Sequence, residues 1–315
     1  MSAIASTATS RLARLPGVAI ALVLLSAVFA WLSPSFATIP NLANVLIQSV
    51  ILLLLALPMT LIIMTEGLDL SMGAVLTLAS ILLAVTVLAT GSSLLALGAA
   101  LAVGLVFGLA NGLIVAKLEI PPFIATLGTL GIAQGLSLLV TDGQSVVGIP
   151  REINQIYNGV VAGVPIPILI GIVAYAAVHL LLYHTRFGTY VFALGGNREA
   201  LKLAGVSDGA VLVAVYAVGG LMAGFAALLM TARMNSAHPT AGIGLEFDAI
   251  AAVAVGGTSF ERGNGWLLGT LLGVLLVGVL RNGLNLLAVP SSAQVAGIGA
   301  LVIGALLIDG LRSRT

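Results

Sequence analysis

The sequence predicts an all-α polytopic membrane protein with about ten transmembrane helices, of which at least one is short or broken. Of its 315 residues, 60% are hydrophobic and 7% are charged, and the mean hydropathy is +1.20. An ordinary soluble domain has roughly 25% charged residues. Many of the 38 glycines lie inside apolar runs, which is typical of closely packed membrane helices.

The apolar runs define the predicted elements in chain order. They lie at 17–32, 43–64, 73–90, 94–116, 123–140, 164–183, 210–230, 247–257, 266–289 and 293–308. A crossing needs roughly 17 to 25 residues, so most runs are long enough and the eighth is too short. We therefore predict a short or broken helix at 247–257 within a transmembrane domain at 17–309, flanked by tails at 1–16 and 310–315.

The distribution of Lys and Arg predicts that both tails are cytoplasmic, because cytoplasmic loops carry an excess of these residues. With this orientation Arg151 and Arg233 are external and Arg281 lies within a span. The remaining basic residues are then cytoplasmic: Arg11, Arg14, Lys117, Arg186, Arg198, Lys202, Arg262, Arg312 and Arg314.

A polar segment at 65–74 separates the second and third runs and contains Glu66, Asp69 and Ser71. One interpretation is an interfacial turn in which Asp69 or Ser71 caps the next helix. Another is a broken-helix region that lines a polar route, because ionisable groups at membrane depth usually face protein or water. The two interpretations are compatible.

A second acidic segment, at 245–248, precedes the short eighth run, and an Asn-Gly-Leu triplet recurs at 111–113 and 282–284. These similarities indicate two weakly related halves, as in many transporters. Asn111, Gln134 and Asn282 can hydrogen-bond neighbouring helices or a polar substrate. Arg281 can extend towards the outer surface or face a polar cavity.

The segment 194–207 predicts a short helix in water. Asn197 is a suitable N-cap, Glu199 falls in the first turn, and Gly205 provides a C-terminal stop. Ala200, Leu201 and Ala204 have helical spacing on one side, whereas Arg198 and Lys202 lie four residues apart on another. This pattern is typical of a docking helix, and an ordinary amphipathic interfacial helix is the alternative.

Several function classes are excluded by composition. With no cysteines, the chain has no disulfides, thiolate metal sites or cysteine nucleophiles. Neither Lys117 nor Lys202 lies in a phosphate-binding Gly-x-x-x-x-Gly-Lys-Ser/Thr loop, and His179 and His184 belong to no recognised metal motif. There is no basic stretch suited to nucleic acid, and no set of residues that forms a catalytic or metal site.

Four segments together resemble the membrane permeases of ribose-type bacterial ATP-binding-cassette (ABC) sugar importers. They are 65–74, Ile-Pro-Pro-Phe-Ile-Ala-Thr-Leu-Gly at 120–128, 194–206, and Glu-Phe-Asp-Ala-Ile-Ala-Ala at 246–252 followed by Gly-Gly-Thr-Ser at 256–259. The resemblance covers residues 44–309 in the family's order. This chain departs from the usual pattern at Glu66-Gly67 and at 261–265, which bears on substrate or partner choice.

The resemblance implies a permease in the bacterial cytoplasmic (inner) membrane that carries a monosaccharide such as ribose, xylose or galactose. Its expected partners are a second permease subunit, a cytoplasmic ATPase and a periplasmic or lipid-anchored sugar-binding protein. The chain itself would be no enzyme and hold no cofactor, because ATP and Mg²⁺ would bind the ATPase.

The same resemblance implies a cytoplasmic coupling loop at 184–208. Its predicted ATPase-coupling residues are Asn197, Arg198, Glu199, Ala200, Lys202, Ala204 and Gly205. The candidate translocation pathway comprises Asp69, Ser71, Asn111, Gln134, Arg281 and Asn282. Two alternatives are an ABC permease for branched-chain amino acids and an ion-coupled secondary transporter; the docking helix argues against the second, and Glu-Gly-Leu-Asp-Leu-Ser at 66–71 favours sugar over amino acid.

Overall fold

The fold is described from a computed structural model, which covers residues 15–259 and 263–300. The predicted tail at 310–315, most of the tail at 1–16, Arg262 and the end of the tenth run lie outside the described residues. Every predicted run that falls within them forms a helix, so the all-α prediction is confirmed.

The helices are listed in chain order: α1 (Leu15–Leu32), α2 (Ile39–Met64), α3 (Met72–Thr90), α4 (Ser93–Lys117), α5 (Pro122–Thr141), α6 (Arg151–Asn158), α7 (Ile166–His184), α8 (Arg186–Gly196), α9 (Arg198–Leu203), α10 (Asp208–Met234), α11 (Leu245–Val255) and α12 (Leu267–Leu286). Residues 291–300 are also helical. Among the described residues, seven helices are long and apolar enough to cross a membrane: α2, α3, α4, α5, α7, α10 and α12. The eighth run is the 11-residue helix α11, as predicted.

Four two-residue strands form two antiparallel pairs. Strand β1 (Val146–Val147) pairs with β4 (Ser236–Ala237), and β2 (Val160–Val161) pairs with β3 (Val164–Pro165). The first pair brings the loops after α5 and α10 to one side of the helices. On the other side, Gly209 at the start of α10 lies beside Ala116 near the end of α4. This grouping is the one that the predicted alternation of loops between the two sides requires.

Helix α2 is the centre of the fold, because 83% of the residues in its most apolar 18-residue stretch are buried within the protein. It contacts α7, α10, α11 and α12. In contrast, only 22%, 28% and 28% of the residues in the most apolar 18-residue stretches of α4, α5 and α7 are buried. The apolar surface of these peripheral helices is suited to lipid or to a neighbouring subunit.

Glycines bring α4 and α10 into backbone contact. Gly104 and Gly108 of α4 lie against Gly220 of α10, and a methyl group at Gly104 would overlap the Gly220 carbonyl. Such close approach compensates for the absence of a hydrophobic driving force between helices in lipid. Both helices also contact α3.

Helix α3 begins inside the protein and not at its surface. After α2 ends at Met64, the connecting segment turns back, and its Leu68 carbonyl accepts a hydrogen bond of 3.2 Å from the Tyr216 hydroxyl. Tyr216 lies about 12 Å along α10 from its first residue, at 1.5 Å per residue. The predicted broken-helix region at 65–74 is therefore present as a re-entrant segment.

Helix α11 also begins inside the protein, and its start meets the start of α3. The backbones of Gly73 and Gly242 are in contact, and the Gly242 amide donates to Thr77 Oγ1 at 2.9 Å. The two acidic segments found in the sequence thus adjoin each other. In each half, an acidic side chain near the buried start of a helix binds a side chain of the next long helix. Asp69, just before α3, accepts from Asn111 of α4. Asp248 of α11 accepts from Arg281 of α12.

Candidate translocation and coupling sites

A buried polar network holds the re-entrant segment at 65–71. Asp69 Oδ1 accepts hydrogen bonds from the amide and hydroxyl of Ser71 at 2.8 and 2.6 Å. Asn111 Nδ2 donates to Ser71 Oγ at 2.9 Å and, more weakly, to Asp69 Oδ2 at 3.4 Å. All three residues are buried. Ser71 occupies the N-cap position of α3 but makes no capping bond with its side chain.

Residues that the sequence did not single out complete this network. Thr129 Oγ1 donates to Asn111 Oδ1 at 2.7 Å, and Thr126 Oγ1 accepts from the Leu70 amide at 3.1 Å. Thr126 lies in the segment 120–128 that carries part of the family resemblance and Thr129 lies just beyond it, but a threonine in an apolar run does not by itself distinguish packing from function. The network joins α3, α4, α5 and α10 around the helix break, so Asp69, Ser71 and Asn111 together stabilise that break.

A polar cavity of about 220 Å³ opens where α11 begins. Arg281 of α12 forms an ion pair with Asp248 in the first turn of α11. The Asp248 side chain is 4% exposed and that of Arg281 is 39% exposed. Arg281 therefore faces the cavity, which agrees with one of its two predicted orientations, while Asp248 supports it from the protein side.

The other two predicted pathway residues have different neighbours. Asn282 exchanges two hydrogen bonds of 2.9 Å with Asn41, which tie α12 to α2. Gln134 Nε2 donates to the Pro239 carbonyl at 2.7 Å and so ties α5 to the loop before α11. Neither residue lines the polar cavity. Their contacts correspond to the helix-packing alternative, and their role in a pathway stays a prediction.

The predicted docking helix is α9, and its ends are those that the sequence indicated. Asn197 Oδ1 accepts a hydrogen bond from the Ala200 amide at 2.9 Å, as an N-cap does. Gly205 has φ +76° immediately after the helix, a conformation that favours glycine. Glu199 lies in the first turn.

The surface of α9 differs from the predicted one in two ways. Leu201 is buried against its own chain, whereas Leu203 is 90% exposed. Arg198 and Lys202 both bind Asp208, at 2.6 and 3.3 Å, so these bases fix α9 to the start of α10. The face left free for a partner consists of Glu199, Ala200, Leu203 and Ala204.

Helix α8, which precedes α9, contacts the end of α2 and the loop that follows α11. The backbone of Gly195, one residue before the end of α8, lies against the Met64 carbonyl at the end of α2 and against Gly263 in the loop after α11. A methyl group at Gly195 would overlap both neighbours. The α8–α9 unit therefore packs against the end of α2 and against the loop that follows α11.

Comparisons with known proteins identify the family of the chain. Residues 41–308 match the family model described as "Branched-chain amino acid transport system / permease component". The chain is 42% identical to the ribose import permease protein of Escherichia coli K12, over 92% of each chain. It is 40% identical to the ribose import permease protein of Bacillus subtilis, over 90% of this chain and 88% of that protein. Identity to the galactose/methyl galactoside import permease protein of E. coli K12 is 35%, over 94% of each chain. No solved structure gives a significant match.

Proposed function

Since the chain belongs to the ribose-type branch of the ABC permease family, we propose that it carries a monosaccharide across the bacterial cytoplasmic membrane. The relatives named for ribose and for galactose or methyl galactoside support a pentose or hexose substrate. The chain is a permease subunit and not itself an enzyme. It would form the path that the sugar follows across the membrane and the gate that opens and closes this path.

The proposed complex contains two permease subunits, a cytoplasmic ATPase that binds ATP and Mg²⁺, and an external sugar-binding protein. Positive-inside asymmetry supports a cytoplasmic position for α9 and for both termini. The sugar-binding protein would then face the side that carries the two strand pairs.

The structure of helices α8 and α9 is the observation that supports this proposal most strongly. A capped helix exposes Leu203 and two alanines, and the preceding helix has backbone contact with Met64 and Gly263. Small side chains permit close approach of a partner, and Leu203 provides an apolar contact. An ATPase bound here would have a direct mechanical connection to the ends of α2 and α11.

Among the candidate pathway residues, Arg281 has the strongest support because it borders the polar cavity. We assign Asp69, Ser71 and Asn111 to stabilising the break before α3, next to the path. Gln134 and Asn282 brace the elements around it. Within the membrane, such buried polar side chains provide hydrogen-bond partners for the backbone N–H and C=O groups of a segment that is not helical.

The proposed function is tested by reconstitution in proteoliposomes with the ATPase and the sugar-binding protein from the same organism. Uptake of radiolabelled D-ribose, D-allose and D-galactose is measured with and without ATP inside the vesicles. We expect ATP-dependent uptake of at least one sugar. Uptake that proceeds on an ion gradient without the ATPase would overturn the proposal.

A branched-chain amino acid is the second candidate substrate, because the matching family model carries that description. Radiolabelled leucine in the same vesicles distinguishes the two candidates. Uptake of leucine and of none of the three sugars would reassign the substrate while retaining the ABC permease function.

A further inference from the structure

The polar cavity beside α11 has the size and position of a substrate site. Its volume of about 220 Å³ greatly exceeds the roughly 15 Å³ that a single water needs. Arg281 lies about 21 Å along α12 from Leu267, at 1.5 Å per residue. The cavity is therefore in the half of the transmembrane region that adjoins the strand pairs. Its polar lining includes Gln48, Arg233, Asp248, Arg281, Asn285 and Gln294.

The ion pair with Asp248 leaves most of the Arg281 donors available. A guanidinium has five N–H groups, and Arg281 uses Nη2 to bind Asp248. Its Nε is shielded from solvent and has no hydrogen-bond partner among the residues that the structure describes, so the donors that remain for a ligand are those of Nη1 and Nη2. Because Asp248 balances the charge of Arg281, this wall of the cavity offers oriented donors without a net charge.

Two amide side chains extend the same surface. Gln294 Nε2 donates to Asn285 Oδ1 at 2.8 Å and to the Val289 carbonyl at 2.9 Å, which orients Asn285 so that its Nδ2 donors stay available. Gln48 on α2 forms no hydrogen bond within the described parts of the chain. It therefore offers both a carbonyl acceptor and an amide donor to a ligand.

This combination suits the hydroxyl groups of a neutral polyol. A hydroxyl accepts from a guanidinium or amide and donates to an amide oxygen, and a neutral ligand does not disturb the Asp248–Arg281 pair. A cation would be repelled by Arg233, because Asp248 already balances the charge of Arg281. The described residues of the lining include no aromatic ring, so binding is expected to be weak enough for onward release, as a transport path requires.

We propose that this cavity is a transit site for the sugar, in which Arg281, Gln48 and Asn285 bind hydroxyl groups. In this assignment Asp248 is a positioning residue that orients the Arg281 guanidinium. The inference rests on the proposed function and adds the site that the sugar occupies within the permease. It also assigns a direct ligand contact to a residue inside α12.

The first test replaces Arg281 by Lys in the fully reconstituted transporter. Lysine keeps the positive charge and its attraction to Asp248 but lacks the planar set of N–H donors of a guanidinium. Sugar uptake, measured at a saturating concentration of the binding protein, should therefore fall by about fivefold or more. The substrate is whichever of D-ribose, D-allose and D-galactose the wild type takes up fastest. ATP hydrolysis stimulated by the sugar-loaded binding protein should stay near the wild-type rate, a separation that general misfolding does not produce.

A double variant, Asp248→Leu with Arg281→Met, provides a second measurement that avoids an unpaired buried charge. It should retain assembly with the ATPase and lose uptake in the same way. Wild-type uptake by both variants would overturn the proposed site. Absence of ATP-driven sugar uptake by the wild type would instead contradict the proposed function, so the two failures are distinguishable.

The third measurement is protection from labelling, which is feasible because the chain has no cysteines. A cysteine at Asn285 should react with a water-soluble maleimide, and millimolar sugar presented with its binding protein during turnover should slow the reaction. A cysteine at Leu286, the next residue of α12 and 37% exposed outside the cavity lining, is the matched control and should show no protection. Equal labelling of the Asn285 cysteine with and without sugar would contradict the site.

Discussion

The backbone of Gly195 in α8 lies directly against the carbonyl of Met64, the last residue of α2. Because no side chain separates them, we expect a displacement of α8 to be transmitted to the end of α2 and not to be absorbed by rotamer changes. Gly263 contacts the other side of the same glycine. One residue therefore contacts both the end of α2 and the loop that follows α11.

The first prediction is that Gly195→Ala impairs coupling. A methyl group there would overlap the Met64 carbonyl and Gly263, and forced overpacking typically costs about 1 to 3 kcal/mol. We expect ATP hydrolysis to continue while sugar uptake per ATP falls by several-fold. Gly196→Ala is the matched control, because no atom lies within 4 Å of a methyl group at Gly196. Equal effects of the two variants would show that the Gly195 contact is unimportant.

A second prediction concerns the exposed face of α9. Ala200→Arg places a bulky charge on that face, and Gly205→Glu adds backbone strain of roughly 1 kcal/mol at positive φ. Both variants should insert normally but lose co-purification with the ATPase and ATP-driven uptake. Leu118→Arg, at a residue 65% exposed beside the end of α4, controls for an added charge on the same side. Near-normal transport by the α9 variants would favour an interfacial helix without a docking role.

A third prediction tests the paired amides of α2 and α12. Asn41 and Asn282 exchange two hydrogen bonds in a buried environment. Replacing Asn41 by Leu leaves the Asn282 amide unpaired. Replacing Asn282 by Leu leaves Asn41 Oδ1 unpaired, while Asn41 Nδ2 keeps its bond to the Phe36 carbonyl. Each single variant should therefore be less stable than the double variant. A double-mutant cycle on thermal unfolding in detergent should give a coupling free energy of about 0.6 to 2 kcal/mol. Simple additivity would mean that the two amides are not paired in the protein.

The fourth prediction is the orientation in the membrane. A cysteine at Asn235, beside strand β4, should react with an impermeant reagent applied to intact cells. A cysteine at Gly196, the last residue of α8, should react only after the membrane is opened. The reverse pattern would invert the proposed orientation and place α9 outside the cell.

Much of the fold could be predicted from the sequence because lipid imposes a simple rule. A long apolar run must form a helix that satisfies its own backbone, so each run within the described residues appears as one. The caps of α9 were also predictable, since Asn197 and Gly205 act within a few residues of themselves. Local chemistry of this kind does not depend on the rest of the fold.

Contacts between distant segments could not be predicted in the same way. Asp208 lies outside the docking motif, so its ion pairs with Arg198 and Lys202 appear only when α9 folds back on α10. Likewise, Arg281 and Asp248 are separated by 33 positions, and an apolar run carries no sign of which neighbour one charge will meet. Helical periodicity placed Leu201 on the docking face, but tertiary packing buries it and exposes Leu203.

The most direct measurement of the central claim is a site-specific crosslink from the tip of α9. A photoreactive maleimide is attached to a single cysteine at Leu203, which is 90% exposed, in the assembled transporter with its ATPase and binding protein. A cysteine at Val160 in the β2–β3 hairpin, 60% exposed, serves as the control on the opposite side. We expect illumination to join Leu203Cys to the ATPase and to leave Val160Cys without an ATPase adduct. An ATPase crosslink from position 160, or none from position 203 in a transporter that is active, would contradict the account.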